Sequence, residues 1–413
     1  MIGAIAFAHG DDARLKATLR PYQIKGLNDI ATCGTEACGM HREACDHCGD
    51  RRMVPNTCQN RHCPHCQGNK RAEWVAARTD ELLPCDYLHA VFTLPPELRG
   101  ISAAFPAIML GSLLQASSYA IDYLCRDPRY LGAEVGQLAV LHTWKRDLGW
   151  HPHAHVIITA GGWNAEQQRW IPAKRFGEQR TAFLLPKDLL CAAFQHRLRR
   201  LLLKAYQKGA FQDGPHEAFP ELATVIRFRA SLNQSMKRPW VIRIEPPFAG
   251  PKPLLKYLGA YINRVAITPQ RILAHDPIAG TVTYGWSTNA EPNKPQQATI
   301  PATEFLRRFA QHILPPHFQR IRFRGLWSTA HRATKLNVVR QALCGISKPS
   351  PPPTPPPPPT PHERNRCPIC GNGHYHRIPG PCPRPTRTER GKILTRLRKT
   401  GNSQTPTEAK IPA

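Results

Sequence analysis

The 413-residue chain has few acidic residues and no long hydrophobic run. Its 29 Asp and Glu stand against 56 Lys and Arg, so the formal net charge is +27. This excess favours a polyanionic partner, nucleic acid before others, although a solubilising surface or a ribosome-like structural role gives the same balance. No apolar run approaches the roughly 20 residues of a membrane-spanning helix, which excludes a helical integral membrane protein.

The start of the chain also lacks the pattern of a secretory signal. No basic segment precedes its apolar residues, and Asp11 and Asp12 stand where a signal has small neutral residues. We therefore expect a cytoplasmic protein, in which 14 cysteines indicate metal ligands more than disulfides. With 41% hydrophobic residues, the chain has room for two or three domains with real cores.

Cysteine pairs with two-residue spacers are the most specific local motif. Cys45 and Cys48 are followed, after fourteen residues, by Cys63 and Cys66. This is the spacing of a zinc ribbon or treble-clef-like knuckle, in which four thiolates bind one tetrahedral Zn²⁺. A redox pair is the weaker alternative, because redox CxxC motifs usually occur singly. Spare ligands leave a second ion or another set of partners open: Cys33, Cys38, Cys58 and His62.

Three histidines alternate along a predicted strand. His151, His153 and His155 share one face, because successive side chains of a strand point to opposite faces. Neighbouring members are about 6.6 Å apart at Cα and can bind one ion, whereas the outer two are about 13 Å apart. We predict His153 and His155 as the ligands, because residues 156–158 continue a buried strand. A solvent-facing histidine-rich turn is the structural alternative.

A predicted helix at residues 253–265 places Tyr257 and Tyr261 one turn apart. Both can supply phenolate nucleophiles, or they can be structural residues packed on a core. The apolar stripe of the helix does not include them and consists of Leu254, Leu258 and Ile262.

Local patterns outline an α+β domain around these motifs. They predict strands at residues 86–94, 137–144 and 154–160, with the last two as an antiparallel pair, and helices at 101–124 and 186–208. Residues 318–324 alternate apolar and basic side chains, which predicts a strand with a cationic face.

Together the motifs resemble the two-tyrosine HUH transposases of the insertion sequence 91 family. The resemblance spans roughly residues 20–345, with the motifs in the expected order. Its motifs are residues 60–66, 87–95, 150–155 with Gly161 and Gly162, 257–267, 304–309 and 312–315. Two positions depart from the family pattern, which usually has Arg at Ala260 and His at Asn263. Neither change removes a predicted nucleophile or ligand.

The resemblance implies an α+β fold with an HUH-type catalytic domain at residues 81–345, built from a mainly antiparallel sheet and packed helices. An N-terminal region at 1–80 would contain a zinc-binding domain at about 33–70. A Pro-rich linker at 346–362 would follow, and then residues 363–413 with a disordered basic tail. The spacing of Cys367 and Cys370 is a weak indication of a small zinc knuckle in this last part.

The family also implies a single-strand, rolling-circle-like DNA transposase. Tyr257 and Tyr261 would form 5′-phosphotyrosine intermediates, and Mg²⁺ or Mn²⁺ on His153 and His155 would activate the phosphate. The third ligand of this ion is open among His89, His151 and Glu245. Structural Zn²⁺ would occupy the cysteine site. The partner would be single-stranded DNA at transposon ends and target, which makes the protein nucleoid-associated in a bacterial cytoplasm when DNA is bound.

Other functions keep part of the same pattern. A replication initiator or a conjugative relaxase shares the histidines and tyrosines. A non-catalytic zinc-dependent DNA-binding protein would tolerate the loss of both tyrosines. A histidine-metal phosphohydrolase would use water as its nucleophile and leave no covalent protein–DNA adduct.

Overall fold

The computed structural model describes most of the chain. The described residues are 1–67, 81–176, 181–183, 185–212, 216–248, 250, 253–254, 257, 265–287, 295–330, 332–344, 365–380 and 385–399. The predicted linker at 346–362 and the second tyrosine, Tyr261, lie outside them. Within these ranges, no helix has both the length and the apolar character that crossing a membrane requires.

Three helices and a hairpin form the N-terminal region. Asp12 caps the second helix by accepting a hydrogen bond from the Leu15 N–H, and Pro21 opens the third, where its missing N–H has no cost. The elements are α1 (Ile2–His9), α2 (Ala13–Thr18), α3 (Pro21–Ala31), a 3₁₀ turn (Glu36–Cys38), β1 (Met40–Cys45) and β2 (Arg51–Pro55).

The rest of the described chain mixes helices with antiparallel strands, which confirms the expected α+β class. The strands are β3 (Tyr87–Thr93), β4 (Gly136–Trp144), β5 (Trp150–Thr159), β6 (Gly161–Asn164), β7 (Arg169–Pro172), β8 (Lys174–Phe176), β9 (Thr181–Phe183), β10 (Ile242–Phe248), β11 (Ile272–Asp276), β12 (Thr281–Trp286), β13 (Gln296–Pro301), β14 (Ile321–Gly325) and β15 (Tyr375–Arg377). The helices are α4 (Arg99–Ala104), α5 (Pro106–Arg126), α6 (Lys187–Gln207), α7 (Val225–Met236), α8 (Ala302–Ala310), α9 (Arg332–Cys344) and α10 (Arg387–Lys399). Short 3₁₀ turns lie at Pro96–Leu98, His216–Ala218, Pro220–Leu222 and Pro269–Arg271.

A five-stranded antiparallel sheet in the order β10-β3-β5-β4-β14 organises the main domain. The predicted pairing of β4 with β5 is present, and so is the helix predicted at 186–208, as α6. The helix predicted at 101–124 is instead divided into α4 and α5. Phe105, which precedes Pro106, has a non-helical conformation, because a proline ring disfavours the helical region for the residue before it.

The two faces of this sheet have different roles. Ala154, Val156 and Ile158 of β5 point to one face and join the core formed with α5 and α6. The odd-numbered residues point the other way, where Ile157 packs with Leu254 and with Val339 of α9. The histidines of β5 therefore lie on the face that residues 254 and 257 cover.

The C-terminal segment folds back onto the N-terminal region. Strand β15 pairs antiparallel with β1, which makes a three-stranded sheet in the order β15-β1-β2. Helix α10 also packs there, and its Arg390 lies 3.6 Å from Asp29. For residues 365–380 and 385–399, this differs from the expected separate knuckle and disordered tail, because these residues find their sheet partner and their apolar contacts more than 300 residues earlier in the chain.

Candidate active site

Strand register brings three histidines together on one face of the central sheet. His153 of β5 lies opposite His142 of β4, and His155 lies opposite Val140, one pleat further along. One nitrogen from each of His142, His153 and His155 lies within 4.8 Å of the others. This is a spacing that one divalent ion can bridge. His142 is buried, and its ring stacks on Trp144 at 4.7 Å between centroids.

Hydrogen bonds orient the two predicted ligands. His153 Nδ1 lies 2.7 Å from the carbonyl oxygen of His151, so Nδ1–H donates there and Nε2 is the nitrogen that could bind a metal ion. His155 Nδ1 lies 2.9 Å from Nε2 of His89 on β3. A ring whose Nδ1 is engaged in this way presents Nε2 to an ion, with a defined orientation.

Tyr257 lies directly against this group. Its hydroxyl is 3.1 Å from His89 Nε2 and 3.3 Å from His155 Nδ1. The Phe248 ring, at 5.0 Å from the tyrosine ring, and the His89 ring enclose it. Burial lowers the pKa of His89 to about 4, so its imidazole is neutral at neutral pH. The phenol and one imidazole of the group of three are thus in hydrogen-bond contact.

The other predicted third ligands lie outside the group of three. His151 contacts the His153 ring at 5.3 Å, but none of its nitrogens belongs to the group. Glu245 forms a 2.8 Å ion pair with Arg243 instead. His89 contacts His155 and Tyr257. The structure therefore favours His142 as the third ligand, which the sequence patterns did not predict. The alternation of β4 places it on the same face as Trp144 but does not show which face of the sheet that is.

Three imidazoles constrain the kind of ion. Mg²⁺ prefers an octahedron of oxygen ligands, whereas imidazole nitrogen suits first-row transition ions. Of the two ions predicted, Mn²⁺ thus fits this donor set better. Water or a phosphate oxygen would complete its coordination.

The cysteines form two separate groups, and the expected single site of Cys45, Cys48, Cys63 and Cys66 is wrong. One group consists of Cys33, Cys58, Cys63 and Cys66, and the other of Cys45, Cys48, Cys367 and Cys370. The reason is geometric. Cys45 and Cys48 lie at the turn of the β1–β2 hairpin, next to the returning C-terminal segment, while Cys63 and Cys66 face the end of α3. Two four-thiol groups fit two structural Zn²⁺ ions.

The cysteine group that includes Cys63 and Cys66 is anchored to the main domain. Arg61 donates hydrogen bonds to the carbonyl oxygens of Leu314, Pro315 and Phe318. His62 Nε2 accepts one from the Leu314 N–H at 3.1 Å. The motifs at residues 60–66 and 312–315 thus contact each other.

The chain is similar to known transposases over most of its length. A family model described as a putative transposase matches residues 136–335, and one described as a transposase zinc-binding domain matches residues 5–94. A putative transposase, y4qJ, of Sinorhizobium fredii (strain NBRC 101917 / NGR234) is 38% identical over 347 residues, which are 83% of this chain and 84% of that protein. The transposase for insertion sequence element IS801 of Pseudomonas savastanoi pv. phaseolicola is 26% identical over 343 residues, 79% of this chain and 75% of that protein. No solved structure matches the chain.

These matches show that the chain is a transposase, an enzyme that acts on DNA. Within that class, the chain belongs to the insertion sequence 91 family, with the zinc-binding domain of that family at its N-terminus.

Proposed function

We propose that this transposase cuts and rejoins single-stranded DNA, with Tyr257 as the attacking group beside a metal ion on His142, His153 and His155. The observation that supports this most strongly is the contact of the Tyr257 hydroxyl with His155, at 3.3 Å. The phenol contacts Nδ1 of the ring whose Nε2 would hold the ion, so a phosphate bound to the ion would lie within one imidazole of the phenol. Closing that gap would bring the phenol oxygen to the phosphorus for an in-line attack.

The chain's own groups account for the main parts of the reaction. The Tyr257 oxygen bonds to phosphorus while the bond from phosphorus to the 3′ oxygen breaks. The phenol proton leaves, and the departing 3′ oxygen takes up a proton. The products are a 5′-phosphotyrosine and a free 3′-hydroxyl, so the energy of the broken bond is retained for rejoining. When bound, the ion would polarise the phosphate and offset its developing charge.

His89 is the positioning residue in this proposal. Its neutral ring contacts both the Tyr257 hydroxyl and His155. These contacts would limit the rotation of the phenol and keep its hydroxyl on the side of the histidine group. Tyr261 remains a prediction as the second nucleophile. The helix predicted from the sequence puts it one turn from Tyr257, so it would attack the next strand while Tyr257 holds the first.

The test is a denaturation-resistant adduct between purified protein and labelled single-stranded DNA that carries candidate element ends, with Mn²⁺. We expect the adduct in the wild type and in Tyr123→Phe, a control at an exposed tyrosine. Tyr257→Phe should lower its formation at least about 100-fold, and His153→Ala should abolish the response to metal. Tyr257→Phe with Tyr261→Phe should remove it entirely.

Two results would replace the proposal. Binding without any adduct, across several end sequences, would indicate a non-catalytic zinc-dependent DNA-binding protein. Metal-dependent cutting that leaves no adduct, and that survives the double tyrosine exchange, would indicate water as the nucleophile and a phosphohydrolase.

A further inference from the structure

Four cysteines from the two ends of the chain lie together outside the catalytic domain. We propose that Cys45, Cys48, Cys367 and Cys370 bind one structural Zn²⁺, and we call this site the terminal clasp. Its second half lies beyond residues 5–94, the part of the chain that matches the zinc-binding domain. The C-terminal segment would then complete a zinc site begun more than 300 residues earlier.

The sulfur distances fit a tetrahedral ion. Cys45 Sγ lies 3.7 Å from Cys370 Sγ, and Cys48 Sγ lies 3.7 Å from Cys367 Sγ. With Zn–S bonds of about 2.3 Å, the sulfurs of a regular tetrahedron are about 3.8 Å apart. A disulfide requires about 2.05 Å. All four atoms lie within 4.8 Å of one another, and four thiolates are the donor set of a closed structural zinc site.

Both halves of the clasp use the same local turn. In each, a glycine with positive φ follows the second cysteine: Gly49 at 73° and Gly371 at 67°. Its N–H donates to the carbonyl of the first cysteine, at 3.1 Å for Cys45 and 2.9 Å for Cys367. This repeated turn directs both thiols of a CxxC pair to one point. Two equivalent knuckles facing each other are the architecture of a zinc ribbon.

The surrounding contacts fit a closed clasp. Gly373 has no room for a side chain, because a Cβ there would lie 2.4 Å from Cys45 Sγ. Backbone N–H groups donate to the sulfurs, from Gly373 to Cys370 at 3.3 Å and from His47 to Cys45 at 3.4 Å. The Arg52 guanidinium lies 3.8 Å above the Tyr375 ring. Strand β15 also pairs with β1 here, so the ion would hold a register that backbone hydrogen bonds already define.

The basic C-terminal helix α10 comes after the clasp in the chain. Helix α10 follows β15 and packs beside the end of α3, where Arg390 donates to Thr32 Oγ1 at 2.7 Å and Arg396 pairs with Glu36. Leu394 and Leu397 contact the N-terminal core. A closed clasp would add to these contacts, which hold a cationic helix beside the group of Cys33, Cys58, Cys63 and Cys66, on a protein whose substrate is an anion.

Zinc content of the full-length protein tests the proposal. We expect two Zn²⁺ per chain in the wild type and in Cys85→Ser, a control cysteine outside both groups. Cys45→Ser with Cys48→Ser should leave one, Cys367→Ser with Cys370→Ser should leave one, and all four exchanges together should still leave one. Loss of two ions in the fourfold variant, or no loss in either pair, would overturn it.

Thiol labelling of the wild type gives a second measurement that does not depend on variant folding. With increasing chelator, we expect Cys45, Cys48, Cys367 and Cys370 to become reactive to N-ethylmaleimide together. Reaction of Cys367 and Cys370 without chelator, while Cys45 and Cys48 stay protected, would show that the two halves do not share an ion.

Discussion

At the scale of single residues, His142 decides whether the histidine group can hold an ion. Removing one of three imidazoles leaves two ligands from one strand, so His142→Ala should weaken Mn²⁺ binding by about 100-fold or more. His151→Gln is the matched control, because His151 lies on the same face but outside the group. Titration calorimetry with Mn²⁺ measures both. Equal losses in the two variants would contradict the assignment.

The sequence could predict His153 and His155 but not His142, for a physical reason. The first two share one strand, so alternation alone places them on one face. His142 joins them only through the register of β4 against β5, which shifts next to it, between residues 142 and 144. Which residues of two strands face each other depends on the whole sheet, and a local pattern does not determine it.

His312 should make stability depend on pH. Its Nε2–H donates to the Leu148 carbonyl, Nδ1 lies 3.1 Å from Thr143 Oγ1, and burial lowers its pKa to about 4. Between pH 6.5 and 4, His312 is protonated in the unfolded chain but stays neutral in the folded protein. The free energy of unfolding is therefore unaffected by His312 above pH 6.5, and protonation of the unfolded chain lowers it by about 2 kcal/mol at pH 5.

The check is chemical unfolding at pH 7 and pH 5 for the wild type and His312→Gln, whose amide can still reach Leu148. We expect the drop between the two pH values to be smaller in the variant by about 2 kcal/mol. His196→Gln, an exchange at an exposed histidine, should keep the wild-type drop. An unchanged drop in His312→Gln would contradict the account.

At the scale of elements, the edge strand β14 lies in the segment whose alternation predicts a strand with a cationic face, and it lines a basic groove. The groove, of about 960 Å³ between β14 and α5, has six cationic side chains and two carboxylates, Asp122 and Glu134. Both carboxylates pair with Arg126 at 3.0 Å. Because six cationic side chains stand against two carboxylates, the groove has an excess of positive charge. We expect single-stranded DNA to contact it through phosphates.

Exchange of Arg322 and Arg324 for Gln tests this groove. Each lost phosphate contact should reduce the slope of log affinity against log salt by about 0.7, so the double variant should lose about 1.4. Fluorescence anisotropy with a labelled oligonucleotide at several salt concentrations measures the slope. Arg129→Gln, at an arginine paired with Asp127 outside the groove, is the control. Identical slopes would place the DNA elsewhere.

At the scale of the whole molecule, Arg61 joins the zinc-binding region to the main domain. Its half-buried guanidinium serves three carbonyl oxygens between residues 314 and 318, and burial lowers its pKa. Arg61→Ala leaves these oxygens without that partner and should cost about 3 kcal/mol of unfolding free energy. Denaturant unfolding measures it, with Arg129→Ala as an exposed control that should change little. A small effect at Arg61 would mean that the two regions fold independently.

The same scale explains which parts of the zinc chemistry the sequence could predict. The CxxC spacing identifies Cys45, Cys48, Cys63 and Cys66 as members of metal sites, because local turns determine how a pair converges. It does not determine which pairs share an ion. Cys367 lies more than 300 residues from Cys45, and only the pairing of β15 with β1 brings them together.

Mass spectrometry can locate the residue to which the DNA becomes attached. The adduct is treated with nuclease and trypsin. Trypsin should release residues 257–264 as one peptide, because Lys256 precedes this segment and Arg264 ends it. We predict a nucleotide mass on this peptide, with fragment ions that assign it to Tyr257 in Tyr261→Phe protein. A nucleotide on a different peptide, or a 3′-linked instead of a 5′-linked nucleotide, would contradict the account.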